Sequence, residues 1–294
     1  MEKSEEKYVS SGPLRLWTES FGYQQDPTVL LVMGSAAQGI GWPDDMVEVL
    51  VAAGRHVIRF DHRDTGLSDW VDFTTHPYTL ADMAADAEAV LDGYGIDRAH
   101  IAGASLGGGI AQWLGAHRPQ RVLTLTLIMT SPMGNEAGPA WARAVAGLDP
   151  DPGELPPPDA ALIRHFMSGG HEEGADETWR LLNGEAVPYD GAAARRFVEA
   201  SLKRARKPGS EAQHDLAGRS MTEDRRAPLS SIAAPTLVVH GAQDPLFPPR
   251  HGQALAEAIP GAELAVVDGM GHAFFSPGLP RRIADLMVGH TQGR

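Results

Sequence analysis

Three side chains carry chemistry if the fold brings them together: Ser105 in "GASLG", Asp244 in "GAQDPLF" and His272 in "GMGHAFF". A serine hydroxyl is a weak nucleophile. It attacks a carbonyl only when a nearby base takes its proton, and an imidazole does this when a carboxylate holds its tautomer. The chain order Ser, Asp, His is one of those on which such a set is built. Gly103 to Gly107 has the G-x-S-x-G pattern of a strand-to-helix elbow. The elbow strains the serine backbone by about 1–3 kcal/mol, and side chains two residues to either side would collide with the turn. In return the hydroxyl stands exposed beside a helix N-terminus that favours negative charge. Alone the pattern is weak in a chain with 33 glycines, so the surroundings have to carry it.

An attacked carbonyl becomes an oxyanion, which needs two backbone N–H donors. Leu106, directly after the serine, is one candidate. The second is expected from the loop after "TVLLVMG", at Ser35 with Ala36 as the alternative. Gly34 lets that backbone turn sharply, or simply ends a strand. Asp268, four residues before His272, is a rival acid, but it sits too close along one loop to reach around to Nδ1. Of the other histidines, His240 reads as structural, His251 as a surface residue and His62 as a possible pocket residue. No H-E-x-x-H or comparable spacing suggests a metal, no G-K-[ST] follows the glycines at 107–109, and the chemistry requires no cofactor.

Positioning these residues requires strands that end beside them. Short apolar runs at Val29–Met33, His56–Phe60, His100–Ala104, Leu123–Met129, Pro235–His240 and Glu263–Val267 read as buried strands, mostly without alternation, as in a parallel sheet covered on both faces. Ser105, Asp244 and His272 each follow the carboxyl end of such a run, the rim where open α/β sheets bind ligands. Amphipathic helices lie between the runs. Leu80, Met83, Ala84, Ala87, Val90 and Leu91 share one face, with Thr79 as a cap and Gly93 or Gly95 as the stop. The helix after Ser105 stops near His117, before Pro119.

The alternation breaks between about Ser131 and Ala234. Here a proline-rich loop precedes helical patterns at Ala160–Met167, Glu177–Leu182 and Ala192–Arg204. The expected architecture is therefore α/β: a doubly wound, mostly parallel sheet from residues 1–130 and 235–294, with residues 131–234 as a helical cap inserted before the last two strands.

The chain has 25 basic and 38 acidic residues, a formal charge of −13, which argues against a nucleic-acid partner. It has no cysteine, so disulfides, thiolate metal sites and a cysteine nucleophile are excluded. The segment "MEKSEEKYVSSG" has no apolar stretch of the secretory type, and no apolar run is long enough to span a bilayer. A cytoplasmic protein with no membrane partner is expected.

The motifs "MGSA", "DHRDTGLS", "GASLGG", "GAQDPLFP" and "GMGH" together resemble the α/β-hydrolase family, from about Leu14 to His290. Met33 stands where most members have His, and Asp64 where they have Gly. With Trp42, these departures resemble the aclacinomycin methylesterase type, which removes a methyl group from an ester on a large polyketide. The resemblance implies the α/β-hydrolase fold, Ser105, Asp244 and His272 as a triad, and Ser35 and Leu106 as oxyanion donors. It also implies a small-molecule hydrophobic ester as substrate. Met33, Gly34, Trp42, Leu106 and Phe274 are candidate pocket residues, with Trp141, Phe166 and Trp179 from the cap; each also suits core packing. The leading reading is a carboxylic ester hydrolase. The same triad on a lactone, carbon–carbon or peracid bond, and a small-molecule receptor without turnover, are the alternatives.

Overall fold

The computed structural model describes residues 3–134, 137–149, 151–169, 175–184, 186–219 and 228–293. Eight strands form one sheet in the order β1-β2-β4-β3-β5-β6-β7-β8. The strands are β1 (Lys3–Ser11), β2 (Leu14–Phe21), β3 (Thr28–Val32), β4 (His56–Phe60), β5 (Ala99–Ala104), β6 (Val122–Ile128), β7 (Thr236–Gly241) and β8 (Glu263–Val267). β1 and β2 are antiparallel, as are β2 and β4, while β3 to β8 run parallel. Six strands lie where the apolar runs predict them.

β1 and β2 do not follow from those runs, because their sequences are polar. β2 is nevertheless almost wholly buried. Its Glu19 meets Arg59 of β4 at 2.7 Å, a buried pair that satisfies both charges. β8, read as a buried strand, is instead an edge strand with Glu263, Leu264 and Val266 exposed. An apolar sequence does not reveal that a strand has a neighbour on one side only.

The chain visits β4 on one side of β3, then crosses to β5 on the other. The crevice between the carboxyl ends of β3 and β5 is thus the switch point of the sheet. Helices cover both faces. α1 (Asp44–Ala52) packs on one face, and α2 (Leu80–Gly93) and α3 (Leu106–His117) pack on the other. α2 begins with a capping box of Thr79 and Asp82, and its apolar stripe of Leu80, Met83, Ala84, Ala87, Val90 and Leu91 joins Ile101, Ile110 and Leu127 in the core.

Between β6 and β7 lie α4 (Ala137–Val145), α5 (Ala160–Met167), α6 (Ala175–Asn183), α7 (Gly191–Arg204) and α8 (Gln213–Arg219). No strand occurs there among the described residues. α4 and α8 go beyond the three helical patterns read from the sequence. This segment bonds to the rim loops: His272 N–H donates to Leu182 O at 2.7 Å, Asp190 N–H to Phe275 O at 2.7 Å, and Asp159 N–H to Pro245 O at 2.7 Å. At the end of α7 the Arg204 guanidinium donates to Gln38 Oε1 at 2.7 Å and to Asp61 Oδ1 at 3.0 Å, tying the segment to the buried Asp61. α9 (Arg250–Ala258) and α10 (Leu279–Thr291) follow β7 and β8. Among the described residues no helix is long and apolar enough to cross a membrane.

Candidate active site

Ser105 sits between β5 and α3 with φ +52° and ψ −118°, left-handed backbone that a residue with a Cβ rarely adopts. The turn that imposes it leaves no room beside it. A Cβ on Gly103 would lie 2.1 Å from Gly107 O, and one on Gly107 2.1 Å from Val32 O. Ser105 N–H donates to Ile128 O at 3.0 Å, and Ser105 O accepts from Thr130 Oγ1 at 2.8 Å. The strain is held by the neighbouring strand.

The elbow, the loop after β7 and the loop after β8 converge. His272 Nε2 lies 3.1 Å from Ser105 Oγ, and His272 Nδ1 lies 2.9 Å from Asp244 Oδ2. A carboxylate accepts, so Nδ1 carries the proton. Nε2 then offers a lone pair to the serine hydroxyl. Asp244 Oδ1 accepts from Leu246 N–H at 2.9 Å and Phe247 N–H at 2.8 Å. Burial pushes the Asp244 carboxyl up, but the charge and hydrogen bond of His272, with His240 and the Phe247 amide, hold it below the ordinary carboxylate range. Asp268 is exposed, and its carbonyl, not its side chain, accepts from Arg282.

The loop after β3 passes over the same serine. A Cβ on Gly34 would lie 3.2 Å from Ser105 Cβ, so Gly34 answers to a close approach as well as to a strand end. Leu106 is the first residue of α3, where an amide N–H has no acceptor within the helix. Ala36 N–H is already engaged by His214 Nδ1 at 3.1 Å, which favours Ser35 over Ala36 as the free donor in this loop.

This is the fold and rim arrangement of a known group. A model of the α/β hydrolase fold matches residues 27–279. The chain belongs to the α/β-hydrolase fold family. It is 36% identical over 275 residues to the rhodomycin D methylesterases DauP of Streptomyces sp. (strain C5) and DnrP of Streptomyces peucetius, covering 91% of this chain and 92% of each of theirs. These relatives agree with the methylesterase type that the motifs resemble. Among solved structures, the esterase EaEST from Exiguobacterium antarcticum superposes with a TM-score of 0.75 at 20% identity, over 97% of this chain and 98% of its own, a likeness of fold.

Two departures from the common hydrolase pattern have local explanations. Asp64, where glycine is usual, has φ +68°, which is the reason for glycine. Here the aspartate is held by Val71 N–H on Oδ1 at 2.8 Å and Tyr78 O–H on Oδ2 at 2.6 Å. At the second, Met33, the side chain is buried in an apolar cluster, and the backbone carbonyl accepts from His62 Nε2 at 2.9 Å.

The candidate pocket residues divide. Trp42 has no exposed surface and its ring packs on Phe274 at 5.3 Å. A side chain that no water can touch does not line an open pocket, so Trp42 belongs to the core with Met46 and Leu50. Phe274 and Met33 are buried in the same cluster, at 6% and 7% exposure. Trp179 packs against Phe197 and Phe275, and Trp141 against Phe166. A cavity of about 480 Å³ opens beside Asp244, lined by Pro157, Leu162, Leu181 and Gln243; none of Met33, Gly34, Trp42 or Phe274 reaches it. His251, expected at the surface, is buried between Ser131 Oγ and Pro156 O, both at 2.9 Å. His62 is likewise buried, under the β3 loop.

The residue that sequence reading missed is His214. It stands in no motif, and its partners lie about 150 and 180 positions upstream.

Proposed function

We propose that the protein is a serine carboxylic ester hydrolase that cleaves a methyl ester on a large aromatic polyketide. The observation that carries the chemistry is the hydrogen-bonded series Ser105–His272–Asp244, at 3.1 and 2.9 Å. The 36% identity to rhodomycin D methylesterases supports the substrate class. In this reading His272 Nε2 takes the Ser105 proton as Oγ attacks the ester carbonyl. The developing oxyanion accepts from the amides of Leu106 and Ser35. His272 returns the proton to the leaving methanol. Water, deprotonated by the same imidazole, then attacks the acyl group, and His272 gives that proton back to Ser105 Oγ as the free acid leaves. Asp244 keeps Nδ1 protonated and stabilises the imidazolium, and its depressed pKa keeps it ionised through the cycle. No step calls for a cofactor. Residues 131–234 act as the cap, and their bonds to the loops of Pro245, His272 and Phe275 support that role.

The test is hydrolysis of p-nitrophenyl acetate and of an aromatic polyketide methyl ester by the wild type and Ser105→Ala. Wild-type turnover of both, lost in the variant, is the expected result. Turnover that survives Ser105→Ala overturns the assignment of the nucleophile, and a wild type that hydrolyses only the short ester overturns the substrate class.

A further inference from the structure

We propose that His214, reaching in from the helices between β6 and β7, positions the oxyanion-hole donor, so that this segment completes the catalytic geometry as well as covering it. The inference rests on the esterase reading above. Three consecutive peptide units make the loop after β3. The first carries Met33 C=O, the second Ser35 N–H and the third Ala36 N–H. The outer two are fixed from outside. His62 Nε2–H donates to Met33 O at 2.9 Å, and Ala36 N–H donates to His214 Nδ1 at 3.1 Å. The middle unit, which carries the proposed donor, has only a long bond of its own, Ala37 N–H to Gly34 O at 3.4 Å. With glycine at its start, this unit is free to rotate unless its neighbours are held. Ala36 adds to the need, since it has φ +59° without being glycine.

The hydrogen bonds also fix the chemical state of His214. A backbone N–H donates to Nδ1, so Nδ1 must present a lone pair. Nε2 lies 2.8 Å from Arg63 O, so it must carry the proton. Only the neutral Nε2–H tautomer makes both bonds. The His62 ring stands edge-on to it at 5.7 Å and 87°, and both rings are buried. Burial lowers each to about 4, so both are neutral at neutral pH. Two neutral imidazoles, one from the sheet rim and one from the inserted helices, thus grip the loop at its two ends.

Two amide variants, each replacing one ring nitrogen of His214, separate positioning from mere packing. In His214→Asn the side-chain Oδ1 stands near the place of Nδ1 and accepts from Ala36, while the Arg63 bond is lost. In His214→Gln the amide reaches the place of Nε2 and donates to Arg63 O, while Ala36 N–H loses its acceptor. With p-nitrophenyl acetate, kcat of the Asn variant is expected within about three-fold of the wild type. That of the Gln variant should fall about 10–100-fold with little change in KM, somewhat less than deletion of a whole donor. Affinity for a trifluoromethyl ketone, whose adduct bears an oxyanion, should fall in parallel. Equal kcat in the two folded variants, or a loss confined to KM, overturns the inference and leaves the esterase reading intact. Failure of both variants to fold makes His214 a residue of the fold and overturns it as well. A wild type without esterase activity removes the reading and the inference together.

Discussion

Asp244→Asn tests the histidine tautomer, and the structure dictates which way the new amide must face. Asp244 accepts three bonds: two from the Leu246 and Phe247 amides on Oδ1, and one from His272 on Oδ2. An asparagine has one acceptor and one donor end. With its oxygen toward the two backbone N–H groups, both remain satisfied and the NH₂ faces His272 Nδ1. The opposite orientation sets the NH₂ against two buried donors, leaving them unsatisfied at about 1–3 kcal/mol each. The first orientation therefore wins. His272 must then accept at Nδ1 and carry its proton on Nε2, where it points at Ser105 Oγ, 3.1 Å away. The base has become a donor. A loss of about 10⁴ in kcat is expected, roughly 5.5 kcal/mol of barrier at about 1.4 kcal/mol per decade. The assay is steady-state hydrolysis of p-nitrophenyl acetate at pH 8, with circular dichroism to show the fold retained. Asp268→Asn serves as the control and should stay within two-fold of wild type on the same order-of-magnitude scale. A folded Asp244→Asn enzyme with kcat within about ten-fold of the wild type would refute the assignment of the acid.

Two further predictions concern stability. Gly107→Ala places a Cβ 2.1 Å from Val32 O and 2.5 Å from Met33 O, both backbone atoms of the strand and loop that form the site. It should cost more than the usual ~1–3 kcal/mol of overpacking, while Gly109→Ala, whose nearest neighbour is Leu80 at 3.8 Å, should be neutral or stabilising by up to about 1 kcal/mol; equal melting temperatures for the two would defeat the steric argument. The second prediction is a loss of stability in mild acid. His62, His100 and His214 have pKa values lowered by burial from 6.5 to about 4. Above pH 6.5 they are neutral in both states and cost nothing. As pH falls toward 4 the unfolded chain takes up protons that the folded chain refuses, so stability falls, by up to about 3 kcal/mol for each. Asp244, with its lowered pKa, adds to the loss, whereas Asp61 and Asp64, whose carboxyls burial raises, oppose it. The urea midpoint should drop between pH 7 and pH 4.5; a constant midpoint sinks this account.

What the sequence made legible follows from how each part is positioned. Ser105, Asp244 and His272 each stand within a few residues of the strand that places them, so an apolar run followed by a polar residue in a tight loop announces both at once. The parallel strands from β3 to β7 were legible for the same reason. β1 and β2 were not, because Glu19 is buried by virtue of Arg59, forty positions away, and local apolarity carries no trace of such a pair. For Trp42 the sequence left pocket and core both open: its complete burial and the packing of Phe274 against it decide for core.

His214 shows where this locality ends. Its helix is seven residues long, and its two partners, Ala36 and Arg63, belong to different loops of the sheet rim. Ser105, Asp244 and His272, the proposed nucleophile, acid and base, each follow a strand of the sheet, β5, β7 and β8, although His272 also bonds Leu182 of the inserted segment. The third peptide unit of the loop after β3 is held from outside, by a residue of the inserted segment whose helix is itself bonded to the loop after β4 through Gln213, with Val71 and Phe73, and through His214, with Arg63. The division has a physical logic. Groups that move protons must be fixed relative to one another, and the rigid parallel sheet does that. The donor proposed to meet the developing negative charge must be fixed relative to the substrate, and a segment that acted as a cap would be suited to hold it. An inserted segment that swaps its helices while keeping an acceptor for Ala36 N–H should therefore change substrate preference without losing kcat on a small ester. One that removes that acceptor should lose kcat on every ester alike.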